Sequence, residues 1–116
     1  MTLQLGSRPQ EIVSGSSGTS IPADGAEGFF VRDSKFVRAF IDFTGSVSEC
    51  TVRKLTKNRT NGRWYGDLST ADLDPLVPTD GDTIRMFDVF PGDEISFQIV
   101  SVTGGSVSIS ADIVQE

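Results

Sequence analysis

The stretch from Thr83 to Val114 constrains this chain more than any other. It reads Thr83-Ile84-Arg85-Met86-Phe87-Asp88-Val89-Phe90, a Pro91-Gly92-Asp93 step, Glu94 to Thr103, Gly104-Gly105, and Ser106 to Val114. These are three β-type runs with two turn signals between them. Val107, Ile109, Ala111 and Ile113 alternate with Ser106, Ser108, Ser110 and Asp112, the period-two pattern of a strand with one buried face. Gly104-Gly105 predicts a two-residue hairpin loop, because both central positions of such a loop want positive φ. In that hairpin Val102 faces Val107 and Val100 faces Ile109. Ile95, Phe97 and Ile99 carry the other parity, so a β-bulge near Ile99-Val100 is predicted, which lets both halves of the strand point inward. Phe90-Pro91-Gly92-Asp93 has Pro and Gly where a type II turn needs them. Type II turns twist the wrong way for tight hairpins, so this step is expected to carry the chain between sheets.

The pattern predicts an all-β chain: an antiparallel β-sandwich, jelly-roll-like or Ig-like, over residues 29–116, preceded by an extended N-terminal arm over residues 1–28. A length of 116 residues fits one domain. Such a chain buries about two-thirds of its unfolded surface, enough for one core without staples. Six to eight strands in two packed sheets are expected, with little or no helix. The core should include Val37, Ile41, Phe97, Ile99, Val107, Ile109 and Ile113.

Composition narrows the function classes. There is no histidine, which removes the commonest general base and metal ligand. The single cysteine, Cys50, excludes an internal disulfide framework and a multi-cysteine zinc site. With no histidine to activate it, Cys50 reads as a small core residue rather than a nucleophile. The formal charge of −6 argues against general nucleic-acid affinity. The polar N-terminus shows no apolar h-region and no run reaches membrane-spanning length, so a soluble, non-secreted or unprocessed protein is expected. There is no G-x-S-x-G elbow, phosphate-cradling glycine loop or metal spacing. Sixteen acidic residues make some carboxylate pair inevitable, so such a pair argues nothing. The reading is a non-enzyme with no cofactor and no metal.

In the arm, Gly, Ser, Pro and Thr dominate, and Leu3, Leu5, Ile12, Val13 and Ile21 are too scattered to form one face. Ordering costs about 1–2 kcal/mol per residue, while burying each of those side chains returns about 1.5–3 kcal/mol. The arm therefore needs pairing, with the body or with another chain, and its apolar residues are candidate partner contacts. From Lys35 to Phe43, Val37, Ala39, Ile41 and Phe43 share one face while Phe36 and Phe40 share the other with Arg38 and Asp42. Aromatics on both faces suggest a strand covered on both sides, by the arm for instance. Thr44-Gly45-Ser46 then turns the chain into Val47 to Lys57, where Cys50 and Val52 look inward.

Arg53, Lys54, Lys57, Arg59 and Arg63 hold half of the basic residues. They make either a docking patch for an acidic surface or a solvated hairpin tip. Asn58-Arg59-Thr60 matches a glycosylation sequon, a chance match without a secretory signal, and Asn61-Gly62 is a turn pair. Trp64 and Tyr65, the only Trp and Tyr, sit on adjacent strand positions and so point to opposite faces. One should be core, and the other free to stack on a sugar or a partner. Asp67 to Asp82 is a long acidic connection in which Ser69 to Leu73 has room for one helical turn. Asp80-Gly81-Asp82 offers oxygen ligands, but the spacing matches no defined calcium loop and reads as a turn.

The arm Met1 to Gly28, the Phe90-Pro91-Gly92-Asp93 corner and the strand-Gly-Gly-strand segment Ile95 to Val114, in a histidine-free chain of short strands, resemble the small β-sandwich decoration, or cement, proteins of tailed bacteriophage capsids. The resemblance implies a non-catalytic protein on the outer capsid surface of the virion. It would bind the major capsid protein and stabilise the shell, often as a homotrimer over local threefold positions. Some such proteins also carry a sugar- or cell-binding surface. The competing reading is a carbohydrate-binding or tail-associated recognition module that uses Trp64 or Tyr65 as a stacking platform.

Overall fold

A computed structural model of the chain describes residues 3–6, 8–32, 35–66 and 81–113. Among these there are nine strands and no helix: β1 (Leu3–Gln4), β2 (Gln10–Gly15), β3 (Phe29–Phe30), β4 (Phe36–Thr44), β5 (Glu49–Lys57), β6 (Trp64–Gly66), β7 (Thr83–Asp88), β8 (Glu94–Thr103) and β9 (Ser106–Ile113). One sheet has the order β1-β3-β8-β5-β6 and the other β2-β9-β4-β7. Ladders join β2 to β9, β3 to β8, β4 to β7 and β5 to β6, all antiparallel. The chain is thus a set of nested hairpins rolled up so that β4 also meets β9 and β5 also meets β8. That arrangement is a jelly roll, which decides between the two sandwich types the sequence left open. The acidic connection, including the proposed turn at Ser69 to Leu73 and Asp80 of the calcium reading, lies almost wholly outside the described residues.

The core lies between the sheets. Val37, Ala39 and Ile41 from β4 and Val107, Ile109, Ala111 and Ile113 from β9 face Cys50 and Val52 from β5 and Ile95, Phe97 and Ile99 from β8. Phe87 and Phe97 meet edge-on across the gap, with ring centres 5.2 Å apart. All seven core residues expected from alternation are buried. β8 carries the predicted bulge: Thr51 pairs with Ser101 and Val52 with Ile99, so Val100 is the extra residue. Ile99 is buried before it, Val100 is exposed, and Val102 returns to the core side after it.

The Phe90–Asp93 step is a turn that leads from β7 in one sheet to β8 in the other, as expected. The Asp93 N–H donates to the Phe90 carbonyl at 2.9 Å, and Gly92 takes φ +98°. Gly104-Gly105 does not close a hairpin. β8 and β9 lie in different sheets, because β3 and β5 occupy both edges of β8 while β2 and β4 occupy both edges of β9. The two glycines have positive φ and pack against the carbonyls of Thr44 and Ser46, where the β4–β5 crossing between the sheets passes. Two inter-sheet connections meet there, and a side chain at either glycine would run into backbone.

The arm is extended, and it belongs to the sandwich. β1 runs parallel to β3, and β2 forms the outer edge of the second sheet. Leu5 is fully buried, with its N–H donated to the Phe30 carbonyl at 2.9 Å, while the Ile113 N–H reaches the Gly6 carbonyl at 3.0 Å. Residues 1–28 thus provide two of the nine strands, which takes the count above the expected six to eight. The pairing that the arm needed comes from its own body.

Candidate interaction surface

The outer faces of the two sheets differ. On the five-stranded sheet, Leu55 and Trp64 point away from the core yet are buried. The arm reaches this face at Gly28, beside Trp64, and at Thr19, beside β8. Gly28 sits against the indole so closely that a Cβ there would run into the ring, and its N–H donates to Glu94 Oε2 at 2.6 Å. Glu94 is itself buried and pairs with Lys57 at 3.4 Å. Further along, the Thr19 N–H donates to the Ile99 carbonyl at 2.8 Å, and Thr19 Oγ1 accepts the Ile99 N–H at 3.0 Å. Gln98 Nε2 donates to the Thr19 carbonyl and Gln98 Oε1 accepts from Arg53 Nε. These bonds fasten the arm along the edge of β8 that β3 leaves unpaired, beside the bulge.

This arrangement alters the reading of several candidate residues. Trp64, only 7 % exposed, lies under the arm and has no face to offer a sugar, while Tyr65 is 50 % exposed and its hydroxyl accepts from Asn61 Nδ2 at 3.1 Å. The basic residues do not form one patch. Arg53 is tied to Gln98, Lys57 to Glu94, and Lys54 is buried with Nζ donating to the Asp88 carbonyl at 2.5 Å, a cross-link between the sheets. Only Arg59 and Arg63 remain at the tip. Arg59 stacks on Phe30 at 5.7 Å and Arg63 lies 3.7 Å from Asp24. Among the arm candidates, Leu3 lies in β1, Leu5 is core, and Ile12 and Val13 pack against the core. Ile21 is exposed. Cys50 is buried; its burial pushes the thiol pKa up, and the charge of Arg85 opposes that shift.

The outer face of the four-stranded sheet is built differently. Register places Phe40 directly opposite Ile84, and Arg38 opposite both Met86 and Asp112. Arg38 donates to Asp112 through Nε at 2.9 Å and through a terminal nitrogen at 2.7 Å, and its guanidinium lies 5.1 Å from the Phe40 ring centre. Asp112 is fully buried although it carries the parity of the half-buried serines, and its hydrogen bonds push the Arg38 pKa further up. Ile84 and Met86 are 57 % and 51 % exposed. Around this tile stand three exposed carboxylates: Glu11 and Asp42, whose strand positions pair with Ser110 and Ser108 of β9, and Asp88, opposite Phe36. The aromatics that suggested a covering by the arm therefore belong to a face that the described part of the arm leaves open.

The chain matches no protein-family model, no curated protein and no solved structure. The tile of Arg38, Phe40, Ile84 and Met86 was not singled out in the sequence. The signal available was the apolar pair Ile84 and Met86 on the parity opposite to Phe87, in a chain whose other exposed strand positions are mostly Ser, Thr or charged.

Proposed function

We propose that this chain is a non-enzymatic virion structural protein that binds major capsid subunits and stabilises the shell from outside, as a decoration protein. The observation that carries this reading is the contrast between the two outer faces. On one the arm closes over Trp64, and the other presents exposed Ile84 and Met86 beside half-buried Phe40 and Arg38. A sheet face that keeps aromatic, Met and Arg side chains at the surface has the composition of a protein–protein interface. The jelly roll is shared by viral capsid and lectin domains, so the fold alone favours both competing readings. The burial of Trp64 takes the stronger stacking platform from the lectin reading. Association as a homotrimer over threefold positions is part of the same proposal.

The test is co-sedimentation of the purified chain with assembled shells of the virus that encodes it, together with shell melting. Saturable binding and a raised shell melting temperature are expected. Absence of co-sedimentation, or glycan binding that disappears with Tyr65→Ala, would sink the decoration reading.

A further inference from the structure

The open face also indicates what kind of surface it fits. We propose that the outer face of the four-stranded sheet docks a protein surface with an apolar centre and a basic rim, rather than a second copy of this chain. The proposal rests on the reading of the chain as a surface-binding protein and names the partner's chemistry. It does not depend on the partner being a capsid.

Three observations support it. First, the centre is continuous: Phe40 and Ile84 are cross-strand neighbours, Arg38 and Met86 are the next pair along the same two strands, and Arg38 stacks on Phe40. Second, Arg38 is fixed in place by two hydrogen bonds to buried Asp112, so little side-chain freedom is lost when a partner covers it. Third, the exposed charges that the strands themselves place on this face have one sign. Glu11, Asp42 and Asp88 are exposed on this face, and Asp112 neutralises Arg38. The other cation of these four strands, Arg85, is opposite Ala39 and carries the inward parity. Two copies placed face to face would set these carboxylates against one another, a like-charge juxtaposition that works against association. Lys and Arg around an apolar centre satisfy both parts of the face.

The experiment uses the full chain and two defined probes: a strand-forming peptide that alternates valine with lysine, and its twin that alternates valine with glutamate. Binding is measured by fluorescence anisotropy at low and high salt. Three double variants, each checked for an unchanged melting curve, accompany the wild type: Ile84→Ser with Met86→Ser, Asp42→Asn with Asp88→Asn, and Asp24→Asn with Glu49→Gln as a distal pair with the same change in net charge. The lysine peptide should bind, and the glutamate peptide should not. Each face variant should weaken binding by about tenfold or more, and the distal pair by less than about twofold. Equal losses in the face and distal acidic pairs would reduce the effect to net charge and overturn the proposal. So would binding that ignores Ile84 and Met86, or a wild-type dimer in sedimentation that Ile84→Ser with Met86→Ser dissolves. If shells fail to bind while the peptide results hold, the decoration reading falls and this inference stands.

Discussion

Thr19 holds Ile99 by both of that residue's backbone groups, taking the N–H on its hydroxyl and giving its own N–H to the carbonyl. One residue of the arm thereby does the work of a strand at the β8 edge. Replacing Thr19 with Val keeps the shape and removes the acceptor, leaving a part-buried N–H unpaired. A loss of about 1 kcal/mol is expected in urea unfolding, with Thr19→Ser restoring most of it.

Gly28→Ala is expected to be more damaging. The added methyl would meet the Trp64 ring and the Ile95 carbonyl, the latter at 2.6 Å. Backbone on one side and a packed indole on the other leave no easy direction for relief. We expect a loss of about 1–3 kcal/mol and a shift of the tryptophan emission as the ring is displaced. An unchanged emission spectrum would mean that the arm does not seat on Trp64.

Removing residues 1–28 should unfold or severely destabilise the body, because it strips two edge strands, removes buried Leu5 and uncovers Trp64. Leu5→Ala tests the same point within the full chain. Leu5 is fully buried, and such a truncation costs about 2–5 kcal/mol. A truncated chain with a wild-type melting temperature would show the arm to be dispensable.

The Arg38–Asp112 pair should respond asymmetrically. Asp112 is fully buried, whereas the Arg38 side chain is partly open to water. Arg38→Ala leaves a carboxylate with no solvent to turn to, while Asp112→Ala leaves a guanidinium that can be hydrated. The first should therefore lower the melting temperature more than the second, and the double variant should recover part of the loss. The reverse order would place Asp112 in contact with water.

The raised pKa of Cys50 sets an alkaline limit. The native state holds the thiol proton more tightly than the unfolded chain does. This stabilisation is fully present below the unshifted value of 9.0 and is lost as pH rises through the higher folded value. Above about pH 9, wild type should lose stability with a steeper slope than Cys50→Ala. At neutral pH the native thiol should react with disulfide reagents only as fast as the protein opens.

Much of this architecture was legible in local pattern. Alternation identified the inward faces of β4, β5 and β9, the change of parity at Ile99-Val100 marked the bulge, and Pro91-Gly92 marked the corner. Trp64 and Tyr65 point to opposite faces, as adjacency requires, but the buried ring, Trp64, lies on the outer face beneath Gly28 and not in the core. Other features depend on partners far away in sequence. Gly104-Gly105 has the chemistry of a hairpin turn, but which strands pair is decided by β2 to β5. The arm's apolar residues look dispersed because each meets a different element, and Lys54 and Asp112 look like surface charges until the opposite sheet and Arg38 are in place. The open face was hidden for a related reason: alternation shows that Ile84 and Met86 oppose the core side, but not whether another segment covers them.

The nested ladders impose an order on how the molecule can be completed. During synthesis β2 leaves the ribosome early, yet its ladder partner among the described residues is β9, nearly a hundred residues later. β4 likewise waits for β7 before its first neighbour exists and for β9 before its second. Until then the emerging chain carries unpaired strands with free backbone edges, which at high concentration can pair with those of other molecules. Refolding should accordingly be slow, and its yield should fall as protein concentration rises.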